Sequence, residues 1–138
     1  MEFNKIIAIT GKPGLYKVIS QSKNAVIAES LLDKKRLAIN AAQNLSLLEN
    51  IAIYTYEEDV PLLNVFTSIF EKTAGKEAIS HKENNKVLTT FFSEVLPNYD
   101  DERVYASNIK KVIQWYNILI KVGMDFSKVE ETTTEEKK

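Results

Sequence analysis

The chain has 138 residues, 44% of them apolar and 27% charged, the composition of an ordinary soluble globular protein with one domain or two very small ones. It contains no cysteine, which excludes structural disulfides, thiolate metal centres and cysteine nucleophiles. The formal net charge of −1 hides a division: residues 1–56 carry seven Lys/Arg against four acids, or +3, and the remainder eleven against fifteen, or −4.

The opening MEFNKIIAIT lacks the basic stretch and long apolar run of a signal peptide. No window approaches the roughly 18 uninterrupted apolar residues of a membrane span, so a cytoplasmic protein without membrane contact is expected. The first 56 residues alternate with period two. The pattern predicts strands over Phe3–Thr10, Leu15–Gln21, Ala25–Leu31, Arg36–Ala41 and Ile51–Tyr56. Short spacers, Gly11-Lys12-Pro13-Gly14, Ser22-Lys23-Asn24 and Asp33-Lys34-Lys35, make successive strands antiparallel neighbours. Residues 44–50 read as a single helical turn. Five short strands must hide one face and cover their edges, and a small SH3-like barrel or curled sheet does both.

Beyond Tyr56 the period becomes 3.6. Asp59 is a candidate N-cap, with Pro61 near the first helical position. Leu62, Leu63, Val65, Phe66, Ile69 and Phe70 share a face, and Gly75 is a stop signal. A second helix is predicted from about Asn84 to Leu96, with Val87, Leu88, Phe91, Phe92 and Val95 inward and Pro97 ending it. The third runs from a Ser107 cap to Gly123. Ile109, Val112, Ile113, Tyr116 and Ile120 form one stripe of about 100°. Trp115, Ile118 and Val122 form a second, opposite Lys110, Gln114, Asn117 and Lys121 in character. Two stripes ask for two partners, so close docking of the halves is expected. The fold class is therefore α+β: a five-stranded antiparallel barrel or curled sheet over 1–56, then three helices over 57–127 packed on it. Residues 128–138 end in EETTTEEKK and are expected to be a disordered tail.

Candidate sites are few. Gly11-Lys12-Pro13-Gly14 has neither the glycine spacing nor the following helix of a phosphate-binding P-loop. Its Gly-x-x-Gly spelling suits an RNA-binding KH loop, but that loop joins helices and both flanks here are strand-like. A type II turn explains it better, with Pro13 presetting φ and Gly14 supplying positive φ. The acidic triplets Glu57-Glu58-Asp59 and Asp100-Asp101-Glu102 precede helices and are read as complements to helix dipoles rather than metal ligands. His81, the only histidine, is read as an exposed linker residue, and no nucleophile–base pair is recognisable.

The segments ITGKPGLYKVISQSKNAVIAESLLDKKR and VYASNIKKVIQWYNILIKVG resemble a family of short bacterial proteins catalogued as a domain of unknown function. Its members have an N-terminal β part and a C-terminal helical part. The resemblance covers most of residues 3–126, and its most specific pieces are Gly-Lys-Pro-Gly-Leu-Tyr-Lys and Trp115-Tyr116-Asn117. It implies a shared architecture and transfers no catalytic residue, cofactor or ligand.

The functional expectation is a noncatalytic interaction or adaptor module, needing no cofactor or metal, whose partner is another protein or a second copy. Its contact surface would be the Trp115, Ile118 and Val122 stripe, because aromatic residues anchor interfaces. The alternative is weak nucleic-acid binding through Lys12, Lys17, Lys34, Lys35 and Arg36.

Overall fold

The computed structural model describes residues 3–9, 14–40, 45–124 and 126. The chain divides into two units, Met1–Ile51 and Ala52–Lys138.

The first unit holds one antiparallel sheet of five strands: β1 (Ile6–Ile9), β2 (Tyr16–Gln21), β3 (Ala25–Ser30), β4 (Arg36–Asn40) and β5 (Leu45–Leu47). Their order is β4-β3-β2-β1-β5. Alternation fixes which side is buried. Ile7, Ile9, Ala28 and Ile39 form the core, with Tyr16, Val18, Leu37, Leu45 and Leu47 packed against it. Ile7 lies opposite Leu47 and Ile9 opposite Leu45, so β5 adds its two leucines to that layer while Ser46 stays exposed. An extra residue, Ile19, makes a bulge in β2, where the register moves from Val18↔Ala28 to Ser20↔Ile27.

Three expectations for this half need correction. Among the described residues β4 and β5 do not pair, so the sheet is open and forms no closed SH3-like barrel. Phe3–Lys5 is a 3-10 turn rather than the start of the first strand. Within 44–50, Leu45–Leu47 is a strand and only Leu48–Asn50 is a 3-10 turn. Leu45-Ser46-Leu47 suits either conformation locally, and pairing with the distant β1 decides it. Gly14 has φ 83°, the positive value the turn reading required, while Lys12 and Pro13 lie outside the described residues.

The second unit begins with the segment expected to be the fifth strand. Its Ala52–Ile53 (β6) pairs with Val60–Pro61 (β7) in a separate two-stranded sheet. Three helices follow: α1 (Leu62–Lys72), α2 (Asn85–Val95) and α3 (Ala106–Lys121). Because the chain is still extended at Pro61, that proline is the N-cap of α1, and Asp59 caps nothing. Asn84 does cap α2, its Oδ1 accepting the Val87 N–H at 2.9 Å. At α3 the cap is Tyr105 rather than Ser107, and the Asn108 side chain reaches back to accept the Tyr105 N–H at 2.9 Å.

Helices α1 and α3 end alike. After α1 the Gly75 N–H reaches Phe70 O (2.9 Å) and the Ala74 N–H reaches Glu71 O (3.4 Å). After α3 the Met124 N–H reaches Leu119 O (2.9 Å) and the Gly123 N–H reaches Ile120 O (3.0 Å). Both are six-to-one closures that satisfy the last carbonyls. Gly123 takes the left-handed position with φ 99°, whereas at α1 that position falls to Ala74 (φ 56°), one residue before the expected Gly75 (φ 80°).

α2 packs on both α1 and α3. Phe66, Phe70, Tyr116 and Phe126 assemble an aromatic core, with ring centroids 5.5–6.1 Å apart. Leu62, Leu63, Val65, Ile69, Leu88, Phe92, Ile109, Val112, Ile113 and Leu119 complete it. Phe91 and Val95 are half-buried, and Val87 is exposed. Leu119 joins the main stripe of α3, and Ile120 is only half-buried.

Polar groups of α3 also hold structure. The Tyr116 hydroxyl donates to Lys76 O (3.0 Å) and lies 2.9 Å from Thr73 Oγ1. Asn117 Oδ1 accepts the Ala78 N–H (2.7 Å), and its Nδ2 donates to Ile79 O (3.0 Å). Adjacent residues of α3 thus strap down the connection between α1 and α2. His81, further along that connection, is half-buried rather than exposed.

Candidate functional site

Between β6 and β7 the alternation continues: Ile53 and Thr55 are buried, while Tyr54 and Tyr56 are exposed on the opposite side. Thr55 holds the chain there. Its Oγ1 donates to Glu58 O (2.6 Å) and accepts the Glu57 N–H (3.0 Å), which closes the turn toward β7. A second loop, residues 98–104, lies alongside. The Asp100 N–H donates to Tyr54 O (2.9 Å), the Tyr56 N–H donates to Asn98 O (3.0 Å), and Thr55 bridges Tyr99 in antiparallel fashion.

Side chains then lock the two loops. Arg103 lies with Cζ 4.2 Å from the centroid of the Tyr54 ring, and its Nε donates to Asp100 Oδ2 at 2.9 Å. Asp100 is 8% exposed, and its other oxygen accepts the Glu102 N–H at 3.0 Å. The Tyr56 hydroxyl donates to the Asp101 carboxylate. Asn98 Nδ2 donates to Glu57 Oε1 at 3.1 Å. Tyr99 packs edge-on against Phe92 with centroids 5.0 Å apart. The Arg103 hydrogen bond holds the Asp100 carboxyl below its ordinary value and raises the guanidinium in return. The bond to Asp101 pushes the Tyr56 phenol up, and burial does the same to Tyr99.

Here the helix-dipole reading of the acidic triplets fails. None of the three α-helices carries an acid in its first turn. Glu57 is instead bonded to Asn98, Asp100 to Arg103 and Asp101 to Tyr56, within and between the two loops. Among the described residues no group of three or more His, Asp or Glu side chains is placed to hold a metal ion.

The residues proposed from sequence are distributed as follows. Trp115 and Val122 are half-buried, but Ile118 is only 7% exposed, so the second stripe of α3 is not a continuous surface. Lys12 lies outside the described residues. Lys34 and Lys35 are exposed in the loop between β3 and β4. There Asp33 Oδ1 accepts the Lys35 N–H (2.9 Å), a bond that lowers the Asp33 carboxyl. Lys17, Glu29 and Arg36 stand in one row across β2, β3 and β4, with Arg36 Nε 3.1 Å from Glu29 Oε1. A carboxylate therefore sits between two of the cations offered for a polyanion. The tyrosine–arginine surface was missed from sequence. Its only local signal is the pair of tyrosines two apart in YTYEED, because the Arg103 loop comes from more than forty residues away.

No helix among the described residues is long and apolar enough to cross a membrane. Two family models match: a domain of unknown function (DUF5606) over residues 3–48 and another (DUF6852) over residues 51–119. Their junction coincides with the division of the structure into units. The chain is also similar to a protein from Bacteroides vulgatus whose solution NMR structure was determined in structural genomics. The two are 44% identical, with 90% of each chain covered and a TM-score of 0.74. No curated protein matches the chain. The chain belongs to this bacterial family of unknown function, in which a β-sheet domain of the DUF5606 type precedes a helical domain of the DUF6852 type.

Proposed function

We propose that the protein is a noncatalytic interaction module whose contact surface is the face carrying Tyr54 and Tyr56. The observation that supports this reading is their exposure: Tyr54 is 43% and Tyr56 61% exposed, although both rings are held by Arg103 and Asp101. Tyrosine and arginine are favoured at interface centres, and rings already fixed in place lose little entropy on binding. This face replaces the α3 stripe as the leading contact, because Ile118 is inaccessible. The absence of cysteine suits a reducing compartment, and the proposal places the module in the cytoplasm.

Affinity capture from a native lysate tests the reading. The parent chain is expected to retain a partner, or a second copy, that Tyr56→Ala loses while circular dichroism stays unchanged. Equal capture by both chains would move the contact elsewhere, with Trp115→Ala as the next variant. A second reading keeps polyanion binding through exposed Lys34 and Lys35 on a unit of net charge +3. It requires retention on heparin at low salt, lost when both lysines become glutamate.

A further inference from the structure

We infer that the partner's contact with the Tyr54–Tyr56 face is an arginine side chain in an exposed segment. The inference rests on the interaction reading above and names the chemistry of the partner. The chain already shows how this face takes a guanidinium: Arg103 lies over Tyr54 at 4.2 Å while its Nε bonds a carboxylate. Tyr56 lies two residues further along the same outward side, with more of its ring open. Its hydroxyl is held by Asp101, so the ring is presented in a fixed position.

The charge of the two loops selects the ligand. Asp101 stands at the Tyr56 hydroxyl, and Glu57, Glu58, Asp59 and Glu102 of the same loops are exposed, as Asp101 is. The single cation in these two loops, Arg103, is matched by Asp100. Glu58 and Glu102 take part in no ion pair among the described residues. An aromatic ring carried on acidic loops attracts a cation and repels nucleic acid and acidic peptides. A guanidinium answers this surface better than an ammonium. It is flat enough to stack on a phenol ring, and its edge donates two parallel hydrogen bonds to one carboxylate.

The test uses the full chain and three short glycine-spaced peptides carrying two arginines, two lysines or two citrullines. Binding is followed by amide chemical shifts at low salt. The arginine peptide should move the amides of residues 54–59 and 98–103, and bind about two- to fivefold more tightly than the lysine peptide. Citrulline, which keeps the shape without the charge, should bind nowhere on this face. Added salt should weaken the arginine complex. Tyr56→Leu removes the ring. The paired variant Glu58→Gln with Glu102→Gln removes two charges from the loops without touching a bond that holds them, and both should weaken binding. The inference is overturned if the arginine peptide leaves those amides unmoved, or if lysine or citrulline binds as well. If the peptides fail while Tyr56→Ala still loses a captured partner, the arginine assignment falls and the interaction surface stands. Failure of both sinks both.

Discussion

Ala74 and Gly75 carry a mismatch between residue type and backbone. Ala74 occupies a left-handed conformation at the end of α1, where a Cβ is disfavoured. Ala74→Gly should therefore raise stability by about 0.5–1 kcal/mol, once the extra freedom glycine gives the unfolded chain is set against the relief. Gly75→Ala should lower it by roughly 1–2 kcal/mol, since φ is +80° and the new Cβ would meet Phe70 Cζ at 3.3 Å. Urea unfolding of the two variants measures both, and the opposite signs at adjacent positions are the check. Tyr116 contributes through one hydroxyl. Tyr116→Phe keeps the ring in the aromatic core but removes one of two donors to Lys76 O, the Thr73 hydroxyl at 2.8 Å being the other, at a cost of about 0.5–1.5 kcal/mol in the same assay.

At the scale of elements, the connection from α1 to α2 is held by α3 as well as by its own local hydrogen bonds. The Asn117 amide donates and accepts at neighbouring backbone positions, as a strand partner would. Asn117→Ala should release that stretch, with faster hydrogen exchange at the Ala78 amide and a stability loss of about 1–3 kcal/mol. The periodicity of α3 placed Asn117 among its solvated residues, and the structure shows why that was incomplete. A polar position on a helix is free only if no other segment crosses it. The two loops of the tyrosine face illustrate the same limit. Alternation through Ile53–Tyr56 is readable in the sequence, yet its pairing with residues 98–100 depends on how the first two helices return the chain. Asp59 and Ser107 were reasonable caps by type, but the two-residue strand β7 and the Tyr105–Asn108 bond moved both helix starts.

For the whole molecule, stability against pH is bounded by groups at both ends of the scale. Asp100 titrates below its ordinary 3.8 in the folded chain. As pH falls, the unfolded chain takes up that proton first. The stabilisation is complete above 3.8 and is lost as pH falls through the depressed value. Tyr116 titrates above 10.0 because it is buried. As pH rises, the unfolded chain loses that proton first, so stability is complete below 10.0 and declines as pH climbs toward the raised value. Stability measured against pH should show a plateau with both limbs, and Asp100→Asn should flatten the acid limb while lowering the plateau.

The sequence by itself determined the class of fold. Alternating apolar residues give strands, 3.6-residue spacing gives helices, and these periods are properties of the backbone that any solvent-facing element obeys. It also determined most of the helical core, and the positive φ at Gly14 and Gly123, because those depend on neighbours in the chain. Tertiary structure alone decided that β4 and β5 do not pair among the described residues, that Leu45–Leu47 joins β1, and that residues 52–56 belong with the helices. It also decided that Tyr54 and Tyr56 meet Arg103 and Asp101 from a distant loop. Each of these rests on pairing between segments distant in sequence, where the partner's position and not the local pattern sets the free energy.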